Sequence, residues 1–259
     1  MATTKIAIIN ASNVLTDDEI AVVIPALQTQ VDRDFGPVWG CDADLAFVAQ
    51  GTVPVPGSWW ITVLDNSDQA GALGYHDLTP EGLPLGKVFA GTDLAYGSQW
   101  TITLSHELLE MLADPDINLA VFVQPDALSG FLYMHEICDA CEADQYGYAI
   151  DGVPVSDFVF PAWYESFRAG GAWLFDQANL ITNPFQLLPG GYIGIFDVIL
   201  GTGWQQLTAD QALNGLDVPA VRQALRQAPN FRYEMLPRVG SRRERRRKPR
   251  YLWRRSELS

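Results

Sequence analysis

The stretch TLSHELLEMLADP, Thr103 to Pro115, constrains the fold of this chain more than any other. Leu104, Leu108, Leu109, Met111 and Leu112 recur at the spacing of a core-seated helix. Pro115 follows where proline commonly stops one, and Ser98 offers an N-cap, so a helix is expected from Ser98 to about Ala113. His106, Glu107 and Glu110 are threaded among the apolar positions. Residues four apart share a helix face, so His106 and Glu110 point together and Glu107 stands about 100° round. Two readings stay open at this point: an ordinary capped amphipathic helix, or one wall of a metal site.

A second cluster bears on the choice. HEICDACEAD, His135 to Asp144, sets Glu136, Asp139 and Glu142 beside His135. Carboxylates amid apolar sequence are costly to bury without a partner, and a cation is the simplest one. One helix cannot surround an ion, so a further ligand must come from another element. Glu136 is the first choice, with Asp139 and His135 in reserve. In a His-Glu-x-x-His helix, two ligands one turn apart hold zinc and the intervening Glu is the general base. Here the fifth position is Glu110, not His.

These residues resemble a known group. SHELLEMLADP followed by E-I-x-D-x-C is similar to the zincin-like metallopeptidase folds, and more narrowly to the EXORDIUM-type (phosphate-induced) proteins and related uncharacterised bacterial proteins. The matching positions are Ser105, His106, Glu107, Leu108 and Glu110, then Asp114-Pro115, then Glu136, Ile137, Asp139 and Cys141. The resemblance implies His106, Glu110 and Glu136 as metal ligands and Glu107 as the base that activates a metal-bound water. A ligand set of one His and two carboxylates weakens the pull on that water relative to His-rich zinc. Zn2+ is the expected cofactor, and the oxygen donors leave room for Mn2+ or Ca2+. The order of elements before the helix also fits a zincin N-terminal lobe.

That order is read as follows. KIAIIN (Lys5–Asn10) is a buried strand, and Thr16 caps a helix through Ile20, Val23, Ile24, Leu27 and Val31. Pro25 should kink or delay it, and Gly36-Pro37 should end it. Strands follow at Asp44–Ala49, Ser58–Asn66 and Leu85–Ala90, the last reached through a turn-rich GALGYHDLTPEGLPLG. The Leu85–Ala90 strand is the expected substrate-binding edge, with His76 or Tyr164 considered as oxyanion donors. Later strands are expected at FLYMHEIC and YIGIFDVIL, and short helices at Ala209–Leu213 and Pro219–Gln227. VSDFVFPAWYESF and LPGGYIGIF read as loops walling a cleft or outer core, and PGG lacks the Lys-Ser/Thr ending of a phosphate loop.

Charge divides the chain. Nine Lys or Arg and two Glu give residues 241–259 a charge of +7, so the −14 of the whole leaves −21 on residues 1–240. An acidic body repels nucleic acid and anionic membranes. Only the basic tail, with Tyr251 and Trp253, offers a nucleic-acid contact, and it reads first as a flexible arm. No run approaches the ~18 apolar residues of a membrane span, and no signal peptide is seen, which points to a cytoplasmic or non-classically exported protein. Of three cysteines, Cys138 and Cys141 form a C-x-x-C pair, read as two buried thiols that fix the loop presenting Glu136.

The expected architecture is α+β and zincin-like, with a mixed N-terminal sheet, an active-site helix and an irregular C-terminal portion. Residues 1–237 form the domain (lobes 1–115 and 116–237) and 238–259 a basic flexible tail. The expected function is a zinc peptidase acting on peptide or protein substrates. The alternative is an inactive binding or structural protein that keeps the metal site.

Overall fold

The computed structural model describes residues 3–201 and 203–210, and otherwise only the backbone of Arg232–Tyr233 and Arg255–Ser256. The chain is mixed α+β with several sheets. Strand β1 (Thr4–Asn10) lies inside a five-stranded sheet ordered β2-β1-β3-β5-β4, with β2 Ala43–Val48, β3 Trp59–Leu64, β4 Gly74–Leu78 and β5 Pro84–Phe89. β2, β1, β3 and β5 run parallel, and β4 pairs antiparallel with β5. Ile6, Ala7 and Ile8 are all buried, as a continuous apolar run in a parallel sheet requires.

The strand edge is where expectation and structure part. The Leu85–Ala90 strand exists as β5, but it is flanked on both sides. Among the described residues the sheet ends at β2 on one side and, next to β5, at β4, which lies inside the segment read as turns. β4 is five residues long and half-buried throughout, so it has neither an apolar run nor an alternation to announce it.

The first helical segment begins as expected. Thr16 and Glu19 exchange hydrogen bonds in a capping box at the start of α1 (Asp17–Ala21). Pro25 delays the helix, which restarts as α2 (Ile24–Thr29) with the proline in its first turn. Gly36-Pro37 does not end it. A π turn over Gln30–Phe35 leads into α3 (Gly36–Trp39), whose first turn contains Pro37, where a missing N–H is no loss. Gly40, at φ 70°, makes the stop.

After α4 (Ala90–Tyr96), helix α5 runs from Trp100 to Ala113. It starts two residues later than Ser98, and its first turn is held from outside, by Gln99 N–H donating to Asp144 Oδ2 at 2.9 Å. Every residue from Thr101 to Leu112 is buried. This corrects the amphipathic reading: α5 packs on β3, β4 and β5 and also against the later strand Val153–Val155, so no face is left for water.

One contact fixes α5 laterally. Ser105 Oγ donates to Gln30 Oε1 at 2.7 Å and accepts from Ser156 N–H at 3.0 Å, while Gln30 Nε2 donates to the Ser156 carbonyl at 2.9 Å. All three residues are buried. Ser105→Ala leaves an acceptor and a donor unsatisfied there, so a loss of about 1–3 kcal/mol is expected in denaturant unfolding.

The remaining described chain forms an antiparallel sheet ordered β11-β10-β7-β6 and a small β8–β9 hairpin. The strands are β6 Ala120–Asp126, β7 Ser129–Met134, β8 Tyr148–Ile150, β9 Val153–Val155, β10 Tyr192–Asp197 and β11 Trp204–Thr208. β7 covers the first half of FLYMHEIC and stops at Met134, so His135 to Cys138 are loop. Ala209 and Asp210 form a turn, whereas the helix expected at Pro219–Gln227 and the basic tail, apart from the backbone of Arg255–Ser256, lie outside the described residues. Among the described residues no helix is long and apolar enough to cross a membrane.

A buried carboxyl pair ties this half together. Asp176 accepts from the N–H groups of Leu180 and Ile181, and Asp157 Oδ1 from those of Phe158 and Ala178. Asp157 Oδ2 has no donor of its own, and burial followed by Asp176 pushes its pKa up to about 8. The folded state therefore holds a proton that the unfolded chain releases near pH 4, so this stabilisation fades as pH rises from about 4 to 8. Asp157→Asn mimics the protonated acid and should flatten the fall of Tm over that window.

Candidate metal centre

Three elements meet at the β4 end of the sheet. α5 supplies His106, Glu107 and Glu110, β4 supplies His76, and the loop after β7 supplies Glu136 and Asp139. Gly74 lets β4 come this close, because a Cβ there would stand 2.7 Å from Glu107 Oε1 and 2.8 Å from Thr103 Cγ2.

The loop is held before any ligand arrives. Cys138 N–H donates to Glu110 Oε1 at 3.0 Å, Val159 N–H to the Ile137 carbonyl at 2.7 Å, and Leu188 N–H to the Ala140 carbonyl at 2.9 Å. Asp139–Cys141 is a 3-10 turn. Cys138 and Cys141 are free, buried thiols, and burial raises both well above the ordinary thiol range, which suits packing and not redox exchange. Tyr164 donates its hydroxyl to the Glu136 carbonyl at 3.2 Å, so that oxygen positions the loop and is not free to meet a substrate.

Five of the six side chains sort into two trios that share Glu110. His106 Nε2 lies 3.2 Å from Glu110 Oε2 and 3.3 Å from Asp139 Oδ1. His76 Nδ1 lies 3.7 Å from Glu110 Oε2, and its Nε2 lies 3.8 Å from Glu136 Oε2. Within each trio, one donor atom per residue falls within 4.8 Å of the others. Glu107 Oε2 stands beside them, 3.6 Å from His76 Nδ1. The structure thus brings together all four residues read as ligands and base, in a particular pairing: Glu136 meets Glu110 with His76, and Asp139 meets Glu110 with His106. Sequence reasoning weighed His76 only as an oxyanion donor. Nothing in Gly74–Leu78 marks it as part of a cluster with a helix 30 residues on.

His135 takes another place. Its ring stacks on Tyr164 at 5.3 Å and meets Trp39 edge-on at 5.0 Å. Burial lowers its pKa, so it stays neutral, and it belongs to neither trio.

Electrostatically the cluster is short of positive charge. Burial raises Glu107, and burial followed by Glu110 raises Glu136 well above the carboxylate range and Asp139 to about 7. Burial opposes charge on His76 and His106, yet the surrounding acids overcome it and raise His76 to about 10 and His106 well above its ordinary value. Glu110 alone is lowered, to about 2: burial works against its charge, and His106 and His76 outweigh it.

The donors suit a divalent ion. His76 Nε2, Glu107 Oε2 and Glu136 Oε2 are buried without a hydrogen-bond partner, an expensive condition unless something else answers them. Imidazole and carboxylate are the ligand types that hold Zn2+ or Mn2+. Donors at about 2.1 Å from one tetrahedral ion stand roughly 3.4 Å apart, close to the 3.2 and 3.3 Å that separate His106 Nε2 from Glu110 Oε2 and Asp139 Oδ1. Comparison with protein-family models, curated proteins and solved structures found no match to this chain.

Proposed function

We propose that this chain is a metal-dependent peptidase with a zincin-like fold, using zinc by preference. The reading is supported chiefly by Glu107, a buried carboxylate with an unpartnered Oε2 beside a helix-borne His106–Glu110 pair and a loop carboxylate. His106, Glu110 and Asp139 would hold the ion, with Glu136 close by. When bound, the ion supplies Lewis-acid polarisation of the scissile carbonyl and of the attacking water.

The chain's own residues do the rest. Glu107, raised by burial above the ordinary carboxylate value, holds a proton more readily than an exposed glutamate does, as a general base requires. His76, with Nδ1 3.6 Å from Glu107 Oε2, orients the base. The free edge of β4 can accept an extended peptide as an added strand, aligning its carbonyls along the site. Buried walls keep other water out.

Glu110 favours a second reading, because carboxylate in place of the second His makes the ion a weaker Lewis acid. In that case the chain keeps the ion for structure and works by binding. Cleavage of a denatured-protein or peptide library by wild type and not by Glu107→Gln separates the two.

A further inference from the structure

We infer that the centre is built for two divalent cations sharing Glu110, the second held by His76, Glu110 and Glu136. This rests on the reading of the first trio as a metal site and extends it.

The first observation is geometric. A single ion held by His106, Glu110 and Asp139 leaves His76 and Glu136 unused, although they too form a trio with the same Glu110, one donor atom from each within 4.8 Å of the others. The second concerns the imidazole itself. The His76 side chain is 6% exposed, and its Nε2 has no hydrogen-bond partner while facing Glu136 Oε2 at 3.8 Å. A lone buried imidazole nitrogen aimed at a carboxylate oxygen that is itself unpartnered is how two ligands look without their ion. β4 also reaches this position only because residue 74 is glycine.

Charge points the same way. Glu107, Glu110, Glu136 and Asp139 together carry four negative charges when ionised. One dication with neutral histidines leaves two of them uncompensated in a buried site, and two dications leave none. Carboxylates that bridge ions roughly 3.5–4 Å apart are the basis of two-metal hydrolytic centres, where the pair clamps both attacking and departing groups. One imidazole and two carboxylates per ion suit Zn2+ or Mn2+.

The test is stoichiometry. Full-length chain is stripped with chelator, dialysed against Zn2+ or Mn2+ alone, and examined by native mass spectrometry and elemental analysis, with circular dichroism as the folding control. Two ions per wild-type chain, falling to one in His76→Gln and to one in His106→Gln, are expected. Two ions retained in folded His76→Gln overturn the assignment. One ion in wild type, lost in His106→Gln and kept in His76→Gln, overturns the second ion and leaves the first. No ion in wild type overturns both readings. If His76→Gln does not fold, electron paramagnetic resonance of Mn2+-loaded wild type decides: an exchange-coupled signal supports the pair, and an isolated-ion signal overturns it.

Discussion

Glu107→Gln should lower peptide hydrolysis by roughly 10²–10⁴-fold, the usual contribution of a general base, while the protein keeps its fold and its metal. The amide is nearly the same size, so Gly74 and Thr103, which crowd the Glu107 side chain, are not displaced. Its oxygen can still lie beside His76. What it loses is the ability to accept a proton, and the lost carboxylate charge slightly eases repulsion from Glu110. Activity measured by mass spectrometry on a peptide library, with metal content measured on the same sample, checks both halves. Equal cleavage by wild type and variant would remove Glu107 from the chemistry. Absence of cleavage by either, with metal present in both, would favour the binding reading.

Glu110→Ala should do the most damage to the centre itself. Its Oε2 is the oxygen common to both trios, and its Oε1 takes the N–H of Cys138, so one residue joins helix, strand and loop. Removing the partner of a bound ligand typically costs 10–100-fold in metal affinity, and loss of a ligand should exceed ~100-fold. The stability consequence follows from linkage. An ion present at 1,000 times its Kd contributes about 4 kcal/mol, which for a domain of this size corresponds to roughly 8–16 °C in Tm. Wild type in Zn2+ should therefore melt well above Glu110→Ala in Zn2+, and chelator should close most of that gap. A gap unchanged by chelator would mean that Glu110 acts only through Cys138 and local packing.

The parts of this molecule that could be read from the sequence were those with a period. KIAIIN and SWWITVLDN became β1 and β3 because continuous apolar runs suit a buried parallel sheet. α5 was legible from its leucines, and its acids gave away the site because carboxylates are dear to bury. The edge strand was not legible: β4 is short, half-buried and bounded by glycine at one end and Thr79-Pro80 just past the other. His76 was invisible as part of the cluster for the same reason, since only the β4–β5 pairing and the glycine at 74 bring it to α5. Within HEICDACEAD the three candidates could not be ranked from spacing. A strand that ends at Met134 and a 3-10 turn at Asp139–Cys141 decide their directions, sending His135 to an aromatic stack and both acids to Glu110. The helix expected after Gly36-Pro37 to have stopped shows the converse error, because proline is tolerated wherever a new helical turn begins.

The claim on which the rest depends is that the acids of α5 and of the loop after β7 are held together by a divalent cation. Calorimetric titration of Zn2+ into chelator-stripped wild type tests it most directly. Saturable binding with release of protons is expected, because Glu136, Asp139 and the two histidines carry them without the ion. A chain that is folded by circular dichroism yet takes up neither Zn2+ nor Mn2+ would contradict the account.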